Sequence, residues 1–77
     1  MASKLAKDVE NILSEALGEF IAQATLLKNC ELIGATVDNL SAAQLPELAD
    51  RIEKSVKFFS GAESAGSVAL KIRALSA

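Results

Sequence analysis

The sequence predicts an all-α domain: a small bundle of three helices, one long and two shorter, that is completed by dimerisation. Residues 3 to 33 contain no proline and a single interior glycine, and apolar residues recur at helical spacing along most of the chain. The composition is 51% hydrophobic but only 4% aromatic. Such a composition is typical of helices that pack closely through small side chains.

The chain length favours a single domain, residues 1–77, with helices at about 3–33, 42–60 and 62–76. A domain of this size buries only about 60% of the surface that its unfolded chain exposes. It therefore lies near the lower limit at which one hydrophobic core is sufficient. This limit is the first reason to expect a partner chain.

The first helix is predicted to begin at Ser3, a good N-cap, and to end near Ile33, because Gly34 suits the position after a helix. Gly18 is the one residue in the interior of this predicted helix that weakens it. At about 100° per residue, one arc about 140° wide collects its apolar residues. These are Leu5, Val9, Ile12, Leu13, Ala16, Leu17, Phe20, Ala24, Leu27 and Cys30.

The second half of this segment carries more apolar surface than one arc needs. Between Phe20 and Cys30 the only charge is Lys28, and Ile21 and Leu26 project outside the arc. A helix that is apolar on most sides is covered on most sides. The surplus predicts contact with a partner.

The second helix has a capping-box spacing at Ser41 and Gln44, but Pro46 follows closely. Proline cannot donate a backbone hydrogen bond, so residues 41 to 45 form either the first turn of the helix or a separate short turn. The third helix has two alternative starts: a capping box at Ser60 and Glu63, or an end of helix two at Gly61 with Ser64 as the new cap. The predicted core comprises Val9, Ile12, Leu13, Ala16, Leu17, Phe20, Ala24, Leu27, Leu48, Ile52, Val56, Phe59, Val68 and Ile72.

The residue inventory disfavours catalysis. Histidine, tyrosine and tryptophan are absent, and there is one cysteine. Without histidine the chain lacks the commonest general base, and one cysteine cannot build a zinc or iron–sulfur site. Cys30 lies on the apolar arc and is predicted to be a small buried hydrophobe. The sequence therefore predicts a protein that is not an enzyme, with no catalytic, cofactor-binding or metal-binding residues.

The leading functional hypothesis is a protein-interaction or oligomerisation module, acting as a regulatory or adaptor component of a larger assembly. Four apolar residues outside the predicted stripes form its expected partner-binding set: Ile21, Leu26, Phe58 and Leu70. The expected partner is a second copy, giving a homodimer, or another helical protein. Burial of one such side chain contributes roughly 1.5 to 3 kcal/mol, so a patch doubled by two-fold symmetry supplies much of the free energy of a stable dimer.

The alternative is a small helical DNA-binding regulator, with a weak basic patch on helices two and three formed by Lys54, Lys57, Lys71 and Arg73. A dispersed net charge of −2 gives no electrostatic footprint for nucleic acid or for an anionic membrane. The charged first ten residues lack the apolar centre of a signal peptide, and no stretch approaches eighteen apolar residues. A cytoplasmic protein without a membrane segment is expected.

A third hypothesis comes from the segment GATVDNLSAAQLPEL. It resembles the acyl carrier protein motif, in which a Gly-Ala-Asp-Ser-Leu stretch opens the second helix and the serine carries phosphopantetheine. Here Asn39 stands where that serine would be, and Thr36 and Val37 are additional. The resemblance implies a carrier-like domain that lacks its attachment residue.

Overall fold

The computed structural model describes residues 3–75. Within this range the chain forms helices and no strand, which confirms the all-α class. In chain order the elements are α1 (Lys4–Leu17), α2 (Glu19–Leu32), a 3₁₀ turn (Ala42–Gln44) and α3 (Leu45–Ala74). Residue 76, where the third predicted helix ends, lies outside the described residues.

The predicted single helix from Ser3 to Ile33 is wrong, because the chain reverses at Gly18. This glycine has φ 85° and ψ 157°, a backbone conformation that is open essentially to glycine alone. The backbone N–H of Ser3 donates to the carbonyl of Val37 at 2.8 Å, so the start of α1 lies beside the chain that leaves α2. The two helices therefore fold back on one another about a single residue.

The helix α3 reverses in the same way at Gly61, which has φ 86° and ψ 170°. A straight helix of 30 residues would be about 45 Å long, whereas the longest dimension of the molecule is 29 Å. Arg73 also reaches back to Asp50 and Glu53. We call the two parts the N-terminal arm (residues 45–60) and the C-terminal arm (residues 62–74) of α3. The predicted end of helix two at Gly61 is observed, but the predicted cap at Ser64 is wrong, because Ser64 lies inside the helical C-terminal arm.

Local sequence signals explain where the helices begin. The hydroxyl oxygen of Ser3 accepts a hydrogen bond from the N–H of Ala6 at 3.1 Å, as expected of an N-cap. The N–H of Ser41 donates to the side-chain oxygen of Gln44 at 3.0 Å. Residues 42–44 form a separate 3₁₀ turn, and Pro46 lies in the first turn of α3, where its missing N–H costs nothing.

The four helical arms form a ring around one core. Gly18 joins α1 to α2, and Gly61 joins the N-terminal arm to the C-terminal arm. Asn29 of α2 contacts Ser55 of the N-terminal arm at 3.3 Å. Lys71 of the C-terminal arm lies 3.8 Å from Glu15 of α1. The core is aliphatic and holds no aromatic side chain among the described residues. It consists of Ala6, Val9, Leu13, Ala22, Leu26, Cys30, Ala35, Leu40, Leu45, Leu48, Ala49, Ile52, Val56, Ala65, Val68, Ala69 and Ile72.

The predicted core is correct for the part of the chain whose stripes are unambiguous. Val9, Leu13, Leu48, Ile52, Val56, Val68 and Ile72 are buried, and Ile12 and Leu17 are half-buried against the core. Five assignments are wrong, because Ala16, Phe20, Ala24, Leu27 and Phe59 are exposed. For Phe20, Ala24 and Leu27 the reason is the reversal at Gly18, which ends the helical phase of α1, so the arc cannot be extended into α2. Ala16 lies at the edge of its own stripe, and both Ala16 and Phe59 lie near the ends of their helical arms.

The inward face of α2 is formed by Ala22, Leu26 and Asn29. The face predicted from Phe20, Ala24 and Leu27 lies about 160° around the helix from this face, at about 100° per residue, and points away from the core. None of the helices between residues 3 and 75 combines the length and apolar content that a membrane span requires.

Candidate interaction surface

The structure separates the four predicted partner-binding residues. Ile21, Phe58 and Leu70 are exposed, at 38%, 92% and 68% of their surface. Leu26 is only 2% exposed and belongs to the core, so its inclusion in a surface is wrong. It was assigned to the outside because the arc of α1 was continued past Gly18.

All three phenylalanines of the chain are on the outside. Phe20 is 82% exposed and Phe59 65%, although both were predicted to be in the core, and Phe58 is more exposed than either. Each lies two or three residues from Gly18 or Gly61. The chain therefore builds its core from small aliphatic residues and places its largest apolar side chains next to its two reversals.

Both reversals lie at the same end of the ring. Ile21, which closely follows Gly18, and Phe59, which closely precedes Gly61, line one groove between α2 and the N-terminal arm of α3. We call it the α2–α3 groove; its volume is about 200 Å³. It is lined by Ile21, Ala24, Thr25, Lys28, Asn29, Ser55 and Phe59.

A polar contact forms the floor of this groove. Asn29 is buried, and its side-chain N–H₂ donates to the carbonyl of Thr25 at 2.7 Å and to the hydroxyl of Ser55 at 3.3 Å. The hydroxyl of Ser55 in turn lies 3.4 Å from Oδ1 of Asn29. Because a buried amide without partners is costly, this contact favours the rotation of α2 that turns Asn29 inward. The same rotation turns Phe20 and Leu27 outward.

Three other large apolar residues, Leu27, Leu32 and Leu70, are exposed and do not line the α2–α3 groove. Leu70 projects from the C-terminal arm and does not line the groove. Leu27 lines a second groove of about 320 Å³, beside Cys30, Ala35 and Val37. The structure thus brings Ile21 together with the phenylalanine end and leaves Leu70 outside it.

The four cations of the predicted basic patch do not form one free surface. Lys71 lies 3.8 Å from the carboxylate of Glu15. Arg73 donates to Asp50 and lies within 3.5 Å of Glu53, and the hydrogen bond to Asp50 raises the pKa of the guanidinium. This pairing does not favour a nucleic-acid surface, which needs unpaired cations.

Polar chemistry elsewhere is sparse in the described part of the chain. A groove of about 480 Å³ lies between α1 and the C-terminal arm and is lined largely by serines, Glu15, Glu63 and Lys71. No three histidine, cysteine, aspartate or glutamate residues between positions 3 and 75 are grouped as metal ligands would be. Burial raises the pKa of the Cys30 thiol, which keeps the sulfur protonated and a poor nucleophile.

Asn39, at the place of the carrier-protein serine, has a structural role in the loop between α2 and the 3₁₀ turn. Its side-chain oxygen accepts from the N–H of Thr36 at 2.8 Å, and its own N–H donates to the hydroxyl of Thr36 at 3.2 Å. These reciprocal bonds close a turn. They explain the asparagine without an attached group.

Comparisons with protein-family models, curated proteins and solved structures found no match for this chain. No relative therefore indicates what the surface around the α2–α3 groove binds. Two of its residues, Phe20 and Phe59, were missed by the periodicity argument. Their signal in the sequence was their position, each two residues from a glycine that ends a helix.

Proposed function

We propose that this chain is a non-enzymatic protein-interaction module whose binding surface is the α2–α3 groove together with the phenylalanines beside it. One observation carries the proposal: all three aromatic side chains are exposed at one end of the molecule, while the described core contains none of them. Exposed aromatic residues concentrated around a concave site are typical of protein-binding surfaces. The bundle then acts as a scaffold that presents this end.

The energetics support a binding role. Burial of one phenylalanine contributes roughly 1.5 to 3 kcal/mol, and that free energy is not used in folding when the side chain stays in water. Phe58 at 92% exposed and Phe20 at 82% retain almost all of it for a second polypeptide. Aromatic residues at the centre of an interface commonly provide most of its affinity.

Two forms of the proposal differ in the partner. In one, a second copy covers the surface and the protein is a homodimer; in the other, the partner is a different helical protein and this chain is a regulatory or adaptor component. A cytoplasmic location is part of both forms. Sedimentation equilibrium separates them, because only the first predicts a concentration-dependent mass that Phe58→Glu lowers and Leu70→Glu leaves unchanged.

The binding role itself is tested by affinity capture from native cells with three baits. We expect the wild type and Leu70→Ser to recover the same proteins and the double variant Phe20→Ser/Phe58→Ser to lose them. Leu70→Ser is the matched control, because it removes an exposed apolar side chain outside the groove. The proposal fails if the wild type is monomeric and all three baits recover the same proteins.

A further inference from the structure

The large exposed apolar residues of this chain lie almost entirely on two neighbouring arms. Among residues 3–75, six of the seven belong to α2 or to the N-terminal arm of α3, one belongs to the C-terminal arm, and α1 has none. The two arms contact each other through Asn29 and Ser55. One pair of adjacent arms therefore carries nearly all the large apolar side chains that folding leaves uncovered.

This pair of arms presents one recess and two protrusions. The recess is the α2–α3 groove, whose volume of about 200 Å³ is below the range of about 300 to 1,000 Å³ that is usual for small-molecule pockets. The protrusions are Phe20 and Phe58, which are highly exposed and do not line the groove. At about 100° per residue, Phe20 lies about 40° around α2 from Ala24, and Phe58 lies about 60° around its arm from Ser55. Because Ala24 and Ser55 line the groove, one phenylalanine stands beside each rim.

A surface that holds a recess next to a protrusion can pair with a copy of itself. In a two-fold interface the same patch occurs on both subunits, so the protrusion of each must fit the recess of the other. Ala24 lies between Phe20 and the floor of the groove, and so small a side chain lets a second helix approach closely. An unrelated partner does not require this match within one chain. The match therefore favours a second copy.

The exposed aromatic area is sufficient for a stable pair. A phenylalanine side chain can bury about 150 to 250 Å², and the three in this chain are 82%, 92% and 65% exposed. Together they provide on the order of 500 Å² per chain and on the order of 1,000 Å² in a two-fold pair. A specific interface needs a total of about 1,000 Å². The phenylalanines reach this area before any neighbouring side chain is included.

The charges of this surface do not oppose a second copy. Lys28 is the one charged residue that lines the groove. The two lysines of the N-terminal arm line a separate groove, where Asp50 and Glu53 accompany them. Glu19 lies next to Phe20 in the chain, so the protruding end carries a carboxylate and the recess carries an ammonium group. Opposite charges on the two elements that meet favour association.

We infer that the occupant of the α2–α3 groove is a second copy of this chain, in a two-fold pair in which Phe20 of each copy enters the groove of the other. This inference rests on the proposed function and adds the identity of the partner and the geometry of the contact. Phe58, on the opposite rim, packs against the inserted side chain. The two-fold axis passes close to Ala24.

The test is crosslinking between single cysteines in the full-length chain. Cys30→Ala removes the native thiol, and Ala24→Cys or Ala43→Cys then introduces one exposed thiol, either at the proposed axis or in the 3₁₀ turn. We expect a short bismaleimide to link Ala24→Cys chains at least about tenfold faster than Ala43→Cys chains, because association makes the second reaction intramolecular. Adding Phe20→Ser to the Ala24→Cys chain should remove this difference, and adding Leu70→Ser should not. Circular dichroism checks that each variant folds.

The contrary results separate the inference from the proposed function. Equal crosslinking rates at the two positions overturn the inference, because the copies then do not meet at Ala24. An unchanged rate with Phe20→Ser overturns it as well, because the groove then does not receive Phe20. If the chain is monomeric in sedimentation while capture of other proteins still depends on Phe20 and Phe58, the inference fails and the proposed function stands. If that capture does not depend on them either, both fall.

Discussion

Helices α1 and α2 have the same length, 14 residues each, and are joined by one glycine, but they use their apolar residues differently. In α1 the buried residues Val9 and Leu13 lie on one stripe, and charged residues cover the opposite side. In α2 the apolar residues occur on all sides, and the buried face includes Thr25 and Asn29 while Phe20 and Leu27 are exposed. The single apolar stripe of α1 fixes which face of that helix packs against the core, whereas contacts with neighbouring helices fix the inward face of α2.

The difference between α1 and α2 bears on function. The apolar content of α1 is used for folding, and that of α2 exceeds what folding requires. Part of this excess lies near Phe59 on the N-terminal arm, where Ile21 lines the same groove and contributes to a surface and not to the core. The four predictions below test this difference between the two helices.

The largest effect is expected from one substitution made in both helices. Leu13→Ala in α1 should lower the free energy of unfolding by about 2 to 5 kcal/mol, because Leu13 is fully buried. Leu27→Ala in α2 should cost less than about 1 kcal/mol, because more than half of that side chain is exposed. Urea melts followed by circular dichroism give both values. Equal losses would show that α2 contributes its outer face to the core.

The glycine that separates the two helices gives the next effect. Gly18→Ala, and likewise Gly61→Ala, should lower stability by about 1 to 3 kcal/mol, because both positions have a positive φ that is strained for alanine. Gly66→Ala is the control: it lies within α3, nothing lies within 4 Å of the added Cβ, and stability should rise by about 0.4 to 1 kcal/mol. A stabilising Gly18→Ala would mean that α1 and α2 form one continuous helix.

The polar contact that orients α2 should be measurable. Asn29→Ala should cost about 1 to 3 kcal/mol and Ser55→Ala about 1 kcal/mol, and the double variant should cost less than the sum because the residues share a hydrogen bond. Asn11→Ala, at an exposed asparagine of α1, should change stability by less than about 0.5 kcal/mol. Strict additivity of the first two substitutions would contradict the contact.

The smallest effect is a pH dependence that belongs to α2 alone. Burial raises the pKa of Cys30 above the ordinary value of 9.0, so the folded state holds the thiol proton more tightly than the unfolded state. The stabilisation is therefore complete below pH 9.0 and is lost as pH rises through the folded-state pKa. Unfolding of wild type and Cys30→Ala, compared between neutral and alkaline pH, should show the wild type losing more. Parallel pH profiles would contradict this.

The parts of the fold that could be predicted from the sequence are those with one strong local signal. Ser3 and the Ser41–Gln44 pair are recognisable caps, and the stripes of α1 and α3 place Leu13 and Ile52 in the core. The reversal at Gly18 could not be predicted with the same certainty. A glycine within a helical pattern is tolerated at a cost of about 1 kcal/mol, so its presence alone does not decide between a weak helix and a turn.

The candidate site was predicted in part. Ile21 and Phe58 are exposed, as predicted. Leu26 was predicted to be exposed but is buried, and Phe20 and Leu27 were predicted to be buried but are exposed, because the chain reverses at Gly18. The ion pairs of Arg73 with Asp50 and Glu53 were also beyond sequence reasoning. Lys54 and Lys57 have carboxylates at pairing distance along their own helix, and only the folding of α3 turns those carboxylates to Arg73.

The sequence by itself determined the all-α class, the starts of α1 and α3, and most of the core of these two helices, because each depends on residue type or on periodicity within one helix. The tertiary structure decided the rotation of α2, the meeting of the two reversals at one end, and the exposure of all three phenylalanines. These depend on how separate helices pack. A helix that is apolar on every side has no orientation of its own until a neighbour supplies one.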